Sequence, residues 1–290
     1  MLRKLLSHYK GVVGSSIGSG MWNGNTGQIA KMAEMRAIGA ELKQRFPNSV
    51  ALKGYKVYSQ NDEDGIIAAI FAAIGGSRTF FEIGVEDGRE CNTHYLSVQG
   101  WRGVWVEANE DSAKAIDQGL NGTVFPGRFK LVQDFAKVSN IVALYRDACE
   151  FCSVDQIDLF SLDIDGNDIY VLGALLQSGA RPAAICVEYN GKFPPPLNIS
   201  VTHDDDRGWA KDDYFGASLQ AFCDELFAAD YALVGCNLSG TNAFFVKKDR
   251  LGELESYSPD EAWQPMRPYL TVLPAVHLPT LKFMRDVVRR

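Results

Sequence analysis

Chemistry-bearing residues concentrate in three stretches of the chain. The first is "FFEIGVEDGRECNTHYLSVQGWRGVWVEAN", residues 80–109, in which Glu82, Gly84, Glu86, Asp87 and Gly88 crowd one turn and Glu107 stands 23 positions beyond Gly84. Gly84 and Gly88 would let backbone approach a ligand where a Cβ would collide, and the start of the next helix could offer amide N–H groups. A carboxylate at the position of Glu107 can accept both hydroxyls of a ribose. The alternative is a tight strand-to-helix connection with solvated acids.

The second stretch pairs "LDIDGND" with "VEYN". Asp163, Asp165 and Asp168 end one apolar run, and Glu188 and Asn190 end the next. If the two runs are adjacent strands, Asp163, Asp165, Glu188 and Asn190 present hard oxygen donors suited to Mg²⁺, Mn²⁺ or Ca²⁺, and a cation there would lower the pKa of an acceptor hydroxyl. Without a cation, such carboxylates raise one another's pKa or bind positive groups, and Asp165 and Asp168 could simply cap the following helix. The third stretch is "SVTHDDDRGW", where His203 could serve as a general base or be an ordinary solvated loop residue. Trp209, Tyr214 and Phe215 on the same segment could stack on a ring or pack the loop down.

The elements that must position these groups are legible from periodicity. In "TGQIAKMAEMRAIGAELKQRF", Ile29, Met32, Met35, Ile38, Leu42 and Phe46 fall at helical spacing, which predicts an amphipathic helix packed on another surface. "SQNDEDGIIAAIFAAIG" predicts a largely buried helix that Ser59 or Asn61 could cap and Gly75 and Gly76 stop. "TFFEIG", "GVWVEAN", "FKLVQDF", "IDLFSLDID" and "AAICVEYN" then read as apolar strands alternating with helices, the signature of a parallel sheet covered on both faces. The Pro- and Asp-rich segment "GKFPPPLNISVTHDDDRGW" breaks the pattern and reads as a lid or binding loop. "YALVGCN" and "TNAFFVKKD", with only "LSG" between them, form a hairpin. The tail predicts loop and a final short helix.

Bulk properties narrow the function. At 290 residues with 46% hydrophobic and 22% charged residues, one domain with terminal additions is expected. A net charge of −7 argues against broad contact with nucleic acid or an anionic membrane. No run approaches the roughly 18 apolar residues of a membrane span, and the interrupted start "MLRKLLSHYKGVVGSSIGSGMW" is not expected to be a secretory leader. Six scattered cysteines read as core residues of a cytoplasmic protein. Cys149 and Cys152 in "CEFC" have redox or zinc spacing, yet lack a second pair and read as two cysteines at a helix end.

Ligands of open parallel sheets sit at the carboxyl ends of the strands, so the 84–88 turn and Glu107 point to a nucleoside. Glu82, Glu86 and Asp87 would repel a pyrophosphate but tolerate a sulfonium and an ammonium, and S-adenosylmethionine carries both. At this point the chain resembles the class I S-adenosylmethionine-dependent methyltransferases, and within them the FkbM-like group, through "FFEIGVEDGRECNT", "GVWVEAN", "LDIDGNDIYVL" and "AICVEYN", over roughly residues 58–248. The resemblance implies a Rossmann-like, doubly wound α/β fold with a seven-stranded, mainly parallel sheet whose last strand is antiparallel. An N-terminal helical extension would occupy 1–57 and a C-terminal tail 249–290. It also implies that Glu82, Gly84 and Gly88 line the methionine half of the cofactor, Glu107 the ribose and Asp134 the adenine, with Asp163 beside it. "YSQNDEDG" resembles a segment from which Ser59, Gln60 and Asp64 could reach the cofactor, although capping of the next helix accounts for them as well. The implied activity is methylation of an oxygen on a sugar or related small molecule. "GVEDG" departs from the group by lacking a middle glycine, and "LDIDGND" stands where "DxEG" is more usual. Two other readings stay open: a non-catalytic protein-interaction module that keeps the fold, and a nicotinamide-dependent oxidoreductase, which the acidic turn and the hairpin disfavour.

Overall fold

The structure, a computed structural model, describes residues 27–270 and 278–290; the expectation about the first residues of the chain lies outside these. Strands β1 (Thr79–Ile83), β2 (Arg102–Glu107), β4 (Phe129–Gln133), β5 (Leu159–Leu162) and β6 (Ala184–Glu188) run parallel, with β3 (Val124–Phe125) at one edge and β7 (Tyr231–Cys236) and β8 (Asn242–Lys247) at the other. The order across the sheet is β3-β4-β2-β1-β5-β6-β8-β7. The expected hairpin is present: β8 pairs antiparallel with both β6 and β7.

The sheet has one strand more than the seven expected. Residues Phe125, Pro126, Gly127 and Arg128 form a turn in which the Arg128 N–H donates to the Phe125 carbonyl at 2.9 Å and Gly127 has φ +68°. Proline followed by a glycine of positive φ is the chemistry of a type II turn. It folds two residues back onto β4 as an antiparallel edge.

The central strands β2, β1, β5 and β6 are buried on both faces along nearly their whole length, which is why their sequences are largely apolar. Phe81 faces a core built with α5 (Ile141–Cys152), α6 (Asp168–Gln177) and α7 (Leu219–Ala228). Its neighbour Phe80 points the other way, into a core shared with α2 (Glu63–Ile74), α3 (His94–Val98), α4 (Glu110–Leu120) and the C-terminal α8 (Lys282–Val288). Phe80 and Phe81 are both 0% exposed, and truncating either to alanine would cost about 3–5 kcal/mol. All six cysteines are buried and free, Cys149 and Cys152 at the end of α5. No described helix is long and apolar enough to cross a membrane.

The first described helix, α1 (27–45), has the predicted amphipathic form, but its stripe is covered only toward its end. Leu42 is buried with Ala51 and Leu238, whereas Ile29 and Met32 are exposed. The Pro/Asp-rich segment after β6 is a loop with one isolated antiparallel bridge, Ser200 to Ala217, and it reaches the carboxyl ends of the strands.

Candidate active site

The parallel strands leave β1 in two directions: β2 and β4 lie to one side, β5 and β6 to the other. The crevice at the carboxyl ends beside β1 is therefore the topological switch point, where open α/β sheets hold ligands. A cavity of about 410 Å³ opens there. Its walls come from the ends of β1, β2 and β5, the residues after β4, and the loop after β6. That size falls within the roughly 300–1,000 Å³ of small-molecule sites.

Glu107, the last residue of β2, reaches this cavity already half engaged. Its Oε2 accepts the Glu86 N–H at 2.8 Å and its Oε1 accepts the Asn109 N–H at 2.7 Å. Each oxygen keeps acceptor capacity for a further donor. Burial raises its pKa, an effect that these two N–H bonds oppose. Glu82 also lines the cavity, but its carboxylate is saturated. Oε1 accepts from the Asn92 N–H and the Ser161 hydroxyl, and Oε2 from the Thr93 N–H and hydroxyl. Its role in the structure is to tie the turn after β1 to β1 and β5.

Both glycines of the turn have a protein reason for lacking a side chain. Gly84 has φ +81°, and a Cβ there would run into the carbonyl oxygen of Asp163. Gly88 has φ +72°, and its Cβ would lie 2.6 Å from the indole of Trp105. Gly84 lines the cavity; Gly88 is not among the lining residues. Glu86 and Asp165, both acidic and both on the cavity wall, hold positive φ without being glycine. Residues held in such conformations cost of order 1–3 kcal/mol and gather at functional sites.

Across the cavity, Asp163, Asp165 and Glu188 present carboxylate oxygens all within 4.8 Å of one another. Asp163 and Glu188 touch the cavity but are enclosed by protein on their other sides. Burial, with mutual repulsion and the nearby aspartates, pushes both well above the ordinary carboxylate range. Each of the two is therefore a weaker acid, and its carboxylate a stronger base, than an isolated carboxyl group. Asp168 stands behind them, accepting the N–H groups of Ile164 and Gly166 at 2.9 Å each, and so holds the turn that presents Asp163 and Asp165. Asn190 is spent on structure: its amide donates to the Asp213 and Phe215 carbonyls and accepts from Lys192 N–H.

Gln60 and Asp134 line the cavity, while Ser59 and Asp64 do not. Asp64 gathers the N–H groups of Val57, Tyr58 and Ser59, and the Ser59 hydroxyl accepts from Asp64 N–H, so both shape the loop from which Gln60 extends. His203 lies outside the cavity lining, exposed, 3.3 Å from Asp205 and edge-on to Tyr170.

Several lining residues were not singled out from sequence. Asn242 opposes Glu188 in the β6–β8 register, and its amide donates to the buried Glu63 at 3.0 Å. Phe135 follows Asp134 onto the wall. Arg207 arrives from the loop after β6, two residues before Trp209, which the sequence offers as a stacking surface and which also lines the cavity. A lone cation directly after three aspartates in "DDDRGW" was the available signal for Arg207.

No family model and no curated protein matches the sequence. Among solved structures, the chain is similar to an O-methyltransferase from Bacillus cereus in complex with SAH (S-adenosylhomocysteine), at 18% identity over 72% of this chain and 89% of that one, with TM-score 0.41. It is also similar to the glycopeptide N-methyltransferase MtfA complexed with SAH, at 13% identity over 62% and 85%, TM-score 0.38. A third is a TehB-like SAM-dependent methyltransferase from Corynebacterium glutamicum, at 17% identity over 73% and 100%, TM-score 0.35. Likeness this distant says nothing about activity or acceptor.

Proposed function

We propose that the cavity binds S-adenosylmethionine and that the protein transfers its methyl group to an oxygen of a sugar or related small molecule. The observation that carries this reading is Glu107. It ends the strand beside β1 at the switch point, is oriented by two backbone N–H groups, and has acceptor capacity left on both oxygens. A ribose diol supplies two matching donors. Asp134 and Phe135 would take the adenine end, and the 82–86 turn and Gln60 the methionine end.

In the transfer, a lone pair of the acceptor oxygen attacks the methyl carbon in line, the C–S bond breaks, and S-adenosylhomocysteine leaves. Alignment of the two reactants supplies much of the rate. The acceptor's proton passes to a carboxylate of the Asp163–Glu188 pair, which burial keeps basic enough to take it. His203, the other base foreseen, would have to act from the rim. The Asp163, Asp165 and Glu188 oxygens are also a donor set that fits Mg²⁺ or Mn²⁺, which would acidify a bound hydroxyl. Exhaustive chelation is expected to abolish turnover if that set holds a required ion; full activity afterwards eliminates the requirement.

Calorimetric titration with S-adenosylmethionine and S-adenosylhomocysteine, with NAD as control, tests the assignment. Saturable binding of the first two alone is expected. Binding of NAD alone would replace the reading with that of an oxidoreductase, and binding of none would favour a non-catalytic module.

A further inference from the structure

The cavity wall carries many carboxyl groups and, among the described residues, one basic side chain, Arg207. Its environment is unusual for a guanidinium. Nη2 donates to the Thr202 carbonyl at 3.1 Å, and the cation lies over the Tyr214 ring at 5.0 Å. No described carboxylate forms an ion pair with it within 4.0 Å, and its Nε is buried without an acceptor. Guanidinium has five donors in a fixed fork that matches a carboxylate or phosphate, and a buried donor left unmatched is costly. The protein's own acids do not take up this charge.

Two residues on, Trp209 also lines the cavity and is 45% exposed, a large aromatic surface left open beside the guanidinium. Its indole N–H is committed to the Asp212 carbonyl at 2.8 Å, and Phe215 packs edge-on at 6.1 Å. Those contacts hold the ring while leaving surface uncovered. Gly208 between the two meets nothing that would contact a Cβ, so space adjoins them.

The loop is anchored at several points. Asn167 exchanges two hydrogen bonds with the Asp204 backbone, at 2.6 and 3.3 Å, and Lys137 pairs with Asp206. The Tyr214 hydroxyl bonds to Thr202, and Lys192 pairs with Asp213. Arg207 and Trp209 are thus held in place without a ligand, which lowers the ordering cost of binding one.

Resting on the reading of the cavity as a methyl-transfer site, we propose that Arg207 and Trp209 form its acceptor subsite and that the acceptor is a ring bearing an anionic group, a carboxylate or a phosphate. The ring stacks on the indole, and the anion takes the guanidinium fork. Arg207, on the loop after β6, is the one cation on the described wall, so the anion is assigned to that side of the cavity rather than to the acidic turn after β1.

The test uses the full chain saturated with S-adenosylhomocysteine and three probes: methyl β-D-glucopyranoside, its uronic acid counterpart, and glucose 6-phosphate. Titration is expected to show both acidic sugars binding at least about tenfold tighter than the neutral one, the scale of one charge-assisted bond. Arg207→Gln is expected to erase that preference, and Trp209→Ala to weaken all three about tenfold. Affinity for S-adenosylhomocysteine stays unchanged in both variants. Equal binding of neutral and acidic sugars, binding of none, or a preference that survives Arg207→Gln would overturn the proposal. A loss of S-adenosylhomocysteine affinity in Arg207→Gln would overturn it too, by giving the guanidinium to the cofactor's own carboxylate. If S-adenosylhomocysteine fails to bind the unaltered protein, the cofactor assignment falls, and the ranking of the three probes on the free chain still decides this one.

Discussion

Replacing Glu107 by glutamine separates its structural duty from its ligand duty. The carboxylate accepts one N–H on each oxygen, from Glu86 at 2.8 Å and from Asn109 at 2.7 Å. An amide has one acceptor oxygen, so whichever way it turns, one of those N–H groups faces an NH₂ and loses its partner. That loss costs the fold about 1–3 kcal/mol. A ribose diol needs two acceptors and would find one, forfeiting one charge-assisted bond of about 1.5–3 kcal/mol, or about ten- to a hundredfold in affinity. The two effects have separate readouts. Denaturant unfolding measures the first, and calorimetric titration of S-adenosylhomocysteine, at a temperature where the variant is folded, measures the second. An unfolding penalty with unchanged affinity would refute the ribose assignment and leave Glu107 as a brace for the turn after β1.

Two buried ionisable groups predict opposite pH dependences of stability. Asp62 is 3% exposed with an unpartnered Oδ1, and burial first, then the charge of Glu63, raises its pKa from 3.8 to about 7. The folded state therefore keeps a proton that the unfolded chain releases, and stability falls as pH rises from about 4 to about 7. Asp62→Asn should be more stable than the parent at pH 8, by up to about 4 kcal/mol, with the gain vanishing near pH 4; a pH-independent difference would refute this. His94, stacked on Tyr58 at 3.8 Å, has its pKa lowered by burial from 6.5 to about 4. The unfolded chain protonates first on acidification, so this site withdraws about 3 kcal/mol of stability between pH 6.5 and pH 4. His94→Phe keeps the ring contact and should flatten that part of the stability profile measured by urea unfolding; an unchanged slope would clear His94 of the acid sensitivity.

Much of the architecture follows from local rules. Apolar runs such as "TFFEI" and "AICVE" can satisfy their side chains only between two covering layers, and helices between them make the strands parallel. The three residues "LSG" are too short for anything but an antiparallel return from β7 to β8. The ends of those runs place Glu107, Asp163 and Glu188 at one edge of the sheet, because strands that share a direction share a carboxyl end. The short edge strand β3 was not foreseen, because two residues give too weak a strand signal, although the turn "FPGR" that folds them back on β4 is itself local chemistry.

What each end-of-strand group does was decided by partners distant in sequence. Gly84 makes room for the Asp163 backbone and Gly88 for Trp105, neighbours that exist only once β1 is laid beside β5 and β2. Glu82 spends its four hydrogen bonds on Asn92, Thr93 and Ser161, so an acid that reads as a ligand group is a joint of the scaffold. Asn190 and Asp64 are joints too, while Arg207, in sequence a lone cation after three aspartates, reaches the cavity because its loop is pinned to Asn167 and Lys137. The physical reason is one of range. Backbone sterics and hydrophobic periodicity act within a few residues and therefore show in the sequence. Hydrogen-bond saturation, burial and the pairing of charges depend on which side chains the folded chain brings within about 3 to 4 Å, and only the tertiary structure determines that.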